Sequence, residues 1–111
     1  MKIGHIELCV SDPMVSLEFY KNVLGCTVTD IQSKKFIWLK FDETEILLRP
    51  SAKITRASNF SESPFNLVIY TDNLAATKQL LESRGLVFDG EDQGCPLFSD
   101  PDGHWFQLVE N

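Results

Sequence analysis

The stretch that decides the fold is His5-Ile6-Glu7-Leu8-Cys9-Val10-Ser11-Asp12-Pro13. Ile6, Leu8 and Val10 alternate with His5, Glu7 and Cys9, the period of a strand with one apolar face and one polar face. Asp12 then offers an N-cap oxygen, and Pro13 suits the first helical position. Leu17, Phe19, Tyr20, Val23 and Leu24 recur at helical spacing, and Gly25 supplies the C-terminal stop. Beyond it, residues 26–32, 35–42 and 44–50 read as strands, with Ser33-Lys34 and Asp42-Glu43 as tight turns. The unit is β-α-β-β-β.

About sixty residues on, the plan recurs. Residues 65–71 form a strand with Asn66, Val68 and Tyr70 on one face. Asp72 or Asn73 caps a helix carrying Leu74, Leu80 and Leu81, and Gly85 ends it. Strands follow near 86–90, 95–99 and 104–110, with Asp100-Pro101-Asp102-Gly103 as the turn between the last two. Superposing the halves pairs His5 with Asn66, Trp38 with Phe98, and Leu47 with Gln107. Residues 1–50 make the first module and 64–111 the second. The polar segment 51–63 joins them as a loop, and a loop of that length in a compact domain is often functional. The expected architecture is α+β: two βαβββ modules in a curved eight-stranded sheet around a cavity, with helices on the outer face.

The bulk properties narrow the function classes. At 111 residues the chain suffices for one core, and 43% hydrophobic with 23% charged residues is ordinary globular composition. A net charge of −6 argues against a nucleic-acid surface, which needs clustered Lys and Arg. Scattered acids of this kind serve solubility, although they also favour a cationic ligand by steering. Cys9, Cys26 and Cys95 form neither a disulfide framework nor a zinc knuckle. No apolar run is long enough for a membrane span and no signal peptide is evident, so a soluble cytoplasmic protein is expected.

His-Ile-x-Leu-x-Val-x-Asp at 5–12, Ser16-x-x-Phe-Tyr-x-x-x-Leu-Gly25 and Asp100-Pro-Asp-Gly103 followed by a strand resemble the vicinal oxygen chelate superfamily. That group includes glyoxalase I, extradiol dioxygenases, fosfomycin-resistance enzymes and bleomycin-resistance proteins. The resemblance implies paired βαβββ modules, a cavity in the concave sheet face and a homodimer. Metal-dependent members place His and Glu ligands at four equivalent positions, which here carry His5, Leu47, Asn66 and Gln107. His5 matches, Leu47 cannot ligate, and Asn66 and Gln107 offer neutral amides where imidazole or carboxylate is wanted. Glu7 shares a face with His5, but strand positions i and i+2 lie roughly 6–7 Å apart and converge poorly on one ion.

Nine residues are therefore candidates for a ligand site: His5, Glu7, Trp38, Leu47, Arg49, Asn66, Tyr70, Trp105 and Gln107. His5 either contacts a ligand or is hydrogen-bonded to Gln107 or Asn66. Glu7 is a general base or cation anchor, or else the partner of Arg49. Trp38, Tyr70 and Trp105 form an aromatic wall, or ordinary sheet packing or a dimer contact. Arg49 is a carboxylate or phosphate anchor at a strand end, or simply exposed. Cys9 and Cys95 read as small apolar fillers, and His104, after the turn, is expected to face water.

The expected function is binding of a small organic molecule without a functional metal or other cofactor. In this the chain resembles the metal-free bleomycin-resistance branch. The alternative is a metal-dependent lyase, isomerase or dioxygenase of the same superfamily, with a divalent ion at His5. A third reading is a structural or regulatory partner of another chain. No nucleic-acid or membrane partner is expected.

Overall fold

A computed structural model describes residues 1–111, which form two compact units, Met1–Thr55 and Arg56–Asn111. In the first unit β1 (Ile6–Val10) leads into α1 (Pro13–Glu18) and a π-helical turn (Phe19–Val23). β2 (Thr27–Gln32), β3 (Phe36–Phe41) and β4 (Thr44–Pro50) follow, in the sheet order β1-β4-β3-β2. The β1–β4 pair is parallel, and the other two are antiparallel. The Asp12 carboxylate accepts from Met14 N at 3.0 Å and Pro13 opens the helix, as the sequence predicts. Leu24 N bonds Phe19 O, five residues back, so the helix loosens in its last turn before Gly25, whose φ of 78° ends it.

Alternation sorts the first sheet. Leu8 and Val10 of β1, Ile37 and Leu39 of β3, and Ile46 and Leu48 of β4 are buried, together with Leu17 and Tyr20 of the helical segment. Glu7 and Cys9 are exposed on the opposite side of β1. Cys9 is therefore no apolar filler. The buried cysteine is Cys26, whose thiol burial pushes up to about 12.

The second unit repeats the plan: β5 (Asn66–Thr71), α2 (Leu74–Ser83), β6 (Glu91–Asp92), β7 (Cys95–Ser99) and β8 (Trp105–Glu110), in the sheet order β5-β8-β7-β6. Asn73, not Asp72, caps α2, its Oδ1 accepting from Ala76 N at 3.0 Å. Both units are βαβββ and the class is α+β, with the strands in two four-stranded mixed sheets. The strand expected at 86–90 is displaced. Gly90, at φ 83°, turns the chain, and the strand shrinks to Glu91 and Asp92, opposite Pro96 and Cys95, while Asp89 N still donates to Leu97 O and Leu97 N to Gly90 O.

The superposition of Trp38 on Phe98 is out by one residue. Trp38 lies opposite Leu47 and Leu97 lies opposite Gln107, so Trp38 corresponds to Leu97. A one-residue slip exchanges the two faces of a strand. Phe98 accordingly points into the helix-side core, fully buried and stacked on Phe106 at 4.9 Å.

The connecting segment belongs largely to the second unit. Arg56 donates to the Pro101 carbonyl and reaches Asp102 Oδ1 at 3.4 Å, while Trp105 Nε1 donates to Ala57 O at 2.9 Å. Beneath it the 100–103 turn is a buried polar knot. Asp100 Oδ1 accepts from Asp102 N and His104 N, both at 2.9 Å, and Asp100 Oδ2 lies 2.7 Å from His104 Nδ1. His104 is thus half-buried and anchored, rather than facing water. Burial pulls its pKa down, but the Asp100 hydrogen bond and the Asp100 and Asp102 charges outweigh that and raise it.

Candidate functional site

The β1–β4 register places Glu7 opposite Leu47 and Cys9 opposite Arg49, and β3 adds Trp38 opposite Leu47. Five of the nine candidates therefore share one face of the first sheet: His5, Glu7, Trp38, Leu47 and Arg49. Their contacts form a chain. Arg49 Nε donates to Glu7 Oε1 at 2.7 Å, and Glu7 Oε2 lies 2.8 Å from His5 Nε2. The His5 ring meets Trp38 edge-on, centroids 4.7 Å apart, and the Arg49 guanidinium lies 5.6 Å from the Phe36 ring centre.

Glu7 is partnered by Arg49, yet it also takes His5. The separation expected for i and i+2 on a strand describes backbone positions; the longer Glu7 side chain closes the gap at its tip. With both oxygens engaged, the carboxylate is held below its ordinary pKa, chiefly by the Arg49 hydrogen bond and then by that of His5. Arg49 spends only Nε on Glu7 and is partly exposed, so its terminal nitrogens remain as donors in a fixed planar fork. Leu47 is buried between these side chains and supplies an apolar floor. His5 also lines an open cleft of about 610 Å³ with Lys2, Gly4, Lys40, Thr44 and Glu45.

The other four candidates lie in the second unit. Asn66 is opposite Trp105, and Gln107 is opposite Val68 on one side and Leu97 on the other. Asn66 Oδ1 is buried with no donor, and Gln107 Nε2 reaches Asp92 only at 3.4 Å. Tyr70 is exposed further along β5. Trp105 is 3% exposed with its indole N–H committed to Ala57, so it packs beneath the connecting segment and forms no open wall with Tyr70. It borders a cleft of about 240 Å³ with Phe60, Asp89, Asp92 and Leu97. The sequence reading missed Phe36 as the partner of Arg49, although their shared strand parity in a hairpin carried the signal.

Comparison with known proteins follows the same outline. A family model described as the Glyoxalase/Bleomycin resistance protein/Dioxygenase superfamily matches residues 2–108. A protein from the mobile metagenome of V. Pseudocholerae is 26% identical, covering 98% of this chain and 96% of its own, with a TM-score of 0.71. A glyoxalase/bleomycin resistance protein/dioxygenase from Alicyclobacillus acidocaldarius gives a TM-score of 0.77 at 18% identity, covering 96% of this chain and 89% of its own. A lactoylglutathione lyase from Agrobacterium tumefaciens gives 0.73 at 18% identity, covering 99% and 93%. The last two likenesses concern the fold alone. No curated protein matches the chain.

Proposed function

The chain belongs to the glyoxalase/bleomycin resistance protein/dioxygenase superfamily, and from that premise we propose that it binds a small organic molecule without a metal. The observation that carries this reading is the engagement of Glu7 on both oxygens, by Arg49 and by His5.

The divalent ion that the superfamily implies does not fit the residues present. In the first unit the donors at or beside the family positions are one imidazole, already facing a carboxylate, and a carboxylate already paired with a guanidinium. Cys9 and Glu45 share the face, but no three His, Cys, Asp or Glu side chains come together to hold an ion. Leu47 offers none. In the second unit Asn66 and Gln107 bring neutral amides, which do not offset a dication. A fixed guanidinium beside Glu7 adds repulsion where an ion would have to sit. The same group suits a ligand oxygen: the free Arg49 donors anchor a carboxylate or carbonyl, while Trp38, Phe36 and Leu47 supply apolar surface. We assign the binding species as a homodimer, in keeping with the family.

Protein purified without chelators and analysed by elemental mass spectrometry is expected to carry substoichiometric Zn, Ni, Mn and Fe. In a thermal-shift screen, aromatic carboxylates are expected to stabilise it, and Arg49→Met to abolish the shift. Stoichiometric metal would overturn the reading. Sedimentation velocity checks the dimer.

A further inference from the structure

We infer that His5 is an oriented proton acceptor, its Nδ1 lone pair held ready for a weakly acidic C–H or O–H of a small molecule by the Arg49–Glu7–His5 chain. The inference rests on the metal-free reading, since an ion at His5 would take up that lone pair.

The orientation follows from donor and acceptor bookkeeping. An ionised carboxylate can only accept, and Arg49 on Glu7 Oε1 keeps it ionised. Glu7 Oε2, 2.8 Å from His5 Nε2, therefore requires the proton on Nε2. The neutral ring then carries its lone pair on Nδ1. The edge-on contact with Trp38, at an interplanar angle of 67°, restrains the ring plane by a second, independent interaction. The His5 side chain is 31% exposed, and the residue also lines the open cleft of about 610 Å³, so a small molecule can approach it.

The chemistry is that of a carboxylate-supported imidazole base. Nδ1 takes the substrate proton, and the imidazolium so formed is stabilised by the adjacent Glu7 charge. Glu7 does not take the proton itself, because Arg49 lowers its basicity. For a carbon acid, the C–H electron pair moves into the neighbouring carbonyl to give an enolate, and return of the proton from Nδ1 completes an isomerisation or solvent exchange. No redox partner is needed. His5 is the catalytic group here; Glu7 and Arg49 are positioning residues. The other charged groups at this end of the sheet are Lys2, Lys40, Glu43 and Glu45, all lining the cleft, with Lys40 3.8 Å from Glu43.

The probe is 5-nitrobenzisoxazole. A base removes its ring C–H, the electron pair forms the nitrile, the N–O bond breaks, and a coloured phenolate leaves. The assay uses the full chain after its metal content has been measured, with folding of each variant checked by circular dichroism. His5→Gln is expected to lose roughly a hundredfold in kcat, the lower range for a general base. Glu7→Gln should lose about tenfold in kcat with KM little changed, as for loss of a partner that orients an imidazole. Glu7→Asp should restore part of the rate. His104→Gln should match wild type. Equal rates in wild type and His5→Gln, or no turnover by folded metal-free wild type, would overturn the inference while leaving metal-free binding intact. Stoichiometric metal would instead remove the reading beneath it, and the two failures are separated on one sample.

Discussion

Glu7 and Arg49, forty-two residues apart in the chain, meet diagonally across a parallel strand pair, with Arg49 Nε 2.7 Å from Glu7 Oε1. Glu7 lies opposite Leu47 and Arg49 opposite Cys9, so the long side chains bridge a two-residue stagger. Arg49 is the largest cause of the lowered Glu7 pKa. A depressed carboxylate contributes stability above its ordinary range, and that contribution is lost as pH falls through the depressed value. Arg49→Met is expected to move the Glu7 titration midpoint up toward the ordinary range, read from the side-chain carboxyl resonance. An unmoved midpoint would refute the assigned cause.

Phe98 and Trp38 were paired by sequence and are separated by the structure. Phe98 is fully buried against Phe106 and meets Phe88 edge-on at 5.7 Å. Phe98→Ala is expected to cost about 3–5 kcal/mol in urea unfolding, the range for a truncated core aromatic. Trp38→Ala, on a partly exposed face, is expected to cost clearly less. Equal losses would count against the face assignment.

Gly103 sits at φ 84°, and a Cβ there would lie 3.3 Å from the Arg56 Cβ and 3.4 Å from the backbone of Ala57. Gly103→Ala therefore carries both a left-handed backbone and a tight contact, and is expected to cost about 1–3 kcal/mol. Gly94, at φ 81°, has open space where its Cβ would go. Gly94→Ala should cost only the backbone share, about 1 kcal/mol. Comparing the two unfolding midpoints isolates the contact.

His104 gives a pH signature of the opposite sign to Glu7. Its folded pKa is raised, so its contribution is fully present below the ordinary histidine value of about 6.5 and is lost as pH rises through the folded value. Urea midpoints measured on either side of that window should fall with rising pH in wild type more than in His104→Gln. Parallel profiles for the two proteins would exclude the Asp100–His104 pair as the source.

Much of this fold was legible because local rules and the hydrophobic period agreed. Asp12-Pro13, Gly25 and Gly85 marked helix ends by their own chemistry, and alternation correctly assigned both faces of β1. The errors arose where pairing, rather than pattern, decides. Register across β7 and β8 is a long-range property, so Phe98 and Leu97, both apolar, were indistinguishable from sequence. His104 looked exposed because the carboxylate that anchors it, Asp100, resembles an ordinary turn residue. In the candidate site the parity of His5, Glu7 and Arg49 was readable. The Glu7–Arg49 partnership was one of the two readings of Glu7; the simultaneous hold on His5 was not, because it depends on how far the Glu7 side chain reaches back along the strand.

The hold of Trp105 and the 100–103 turn on residues 56–57 also determines where this chain tolerates engineering. An insertion after Lys53 falls ahead of those attachments and leaves the indole its acceptor and Asp102 its guanidinium. The same insertion between Arg56 and Ala57 separates two anchors that grip adjacent residues. The natural seam for a spliced epitope, a protease site or new chain termini is therefore the short run 52–55, not the midpoint of the loop.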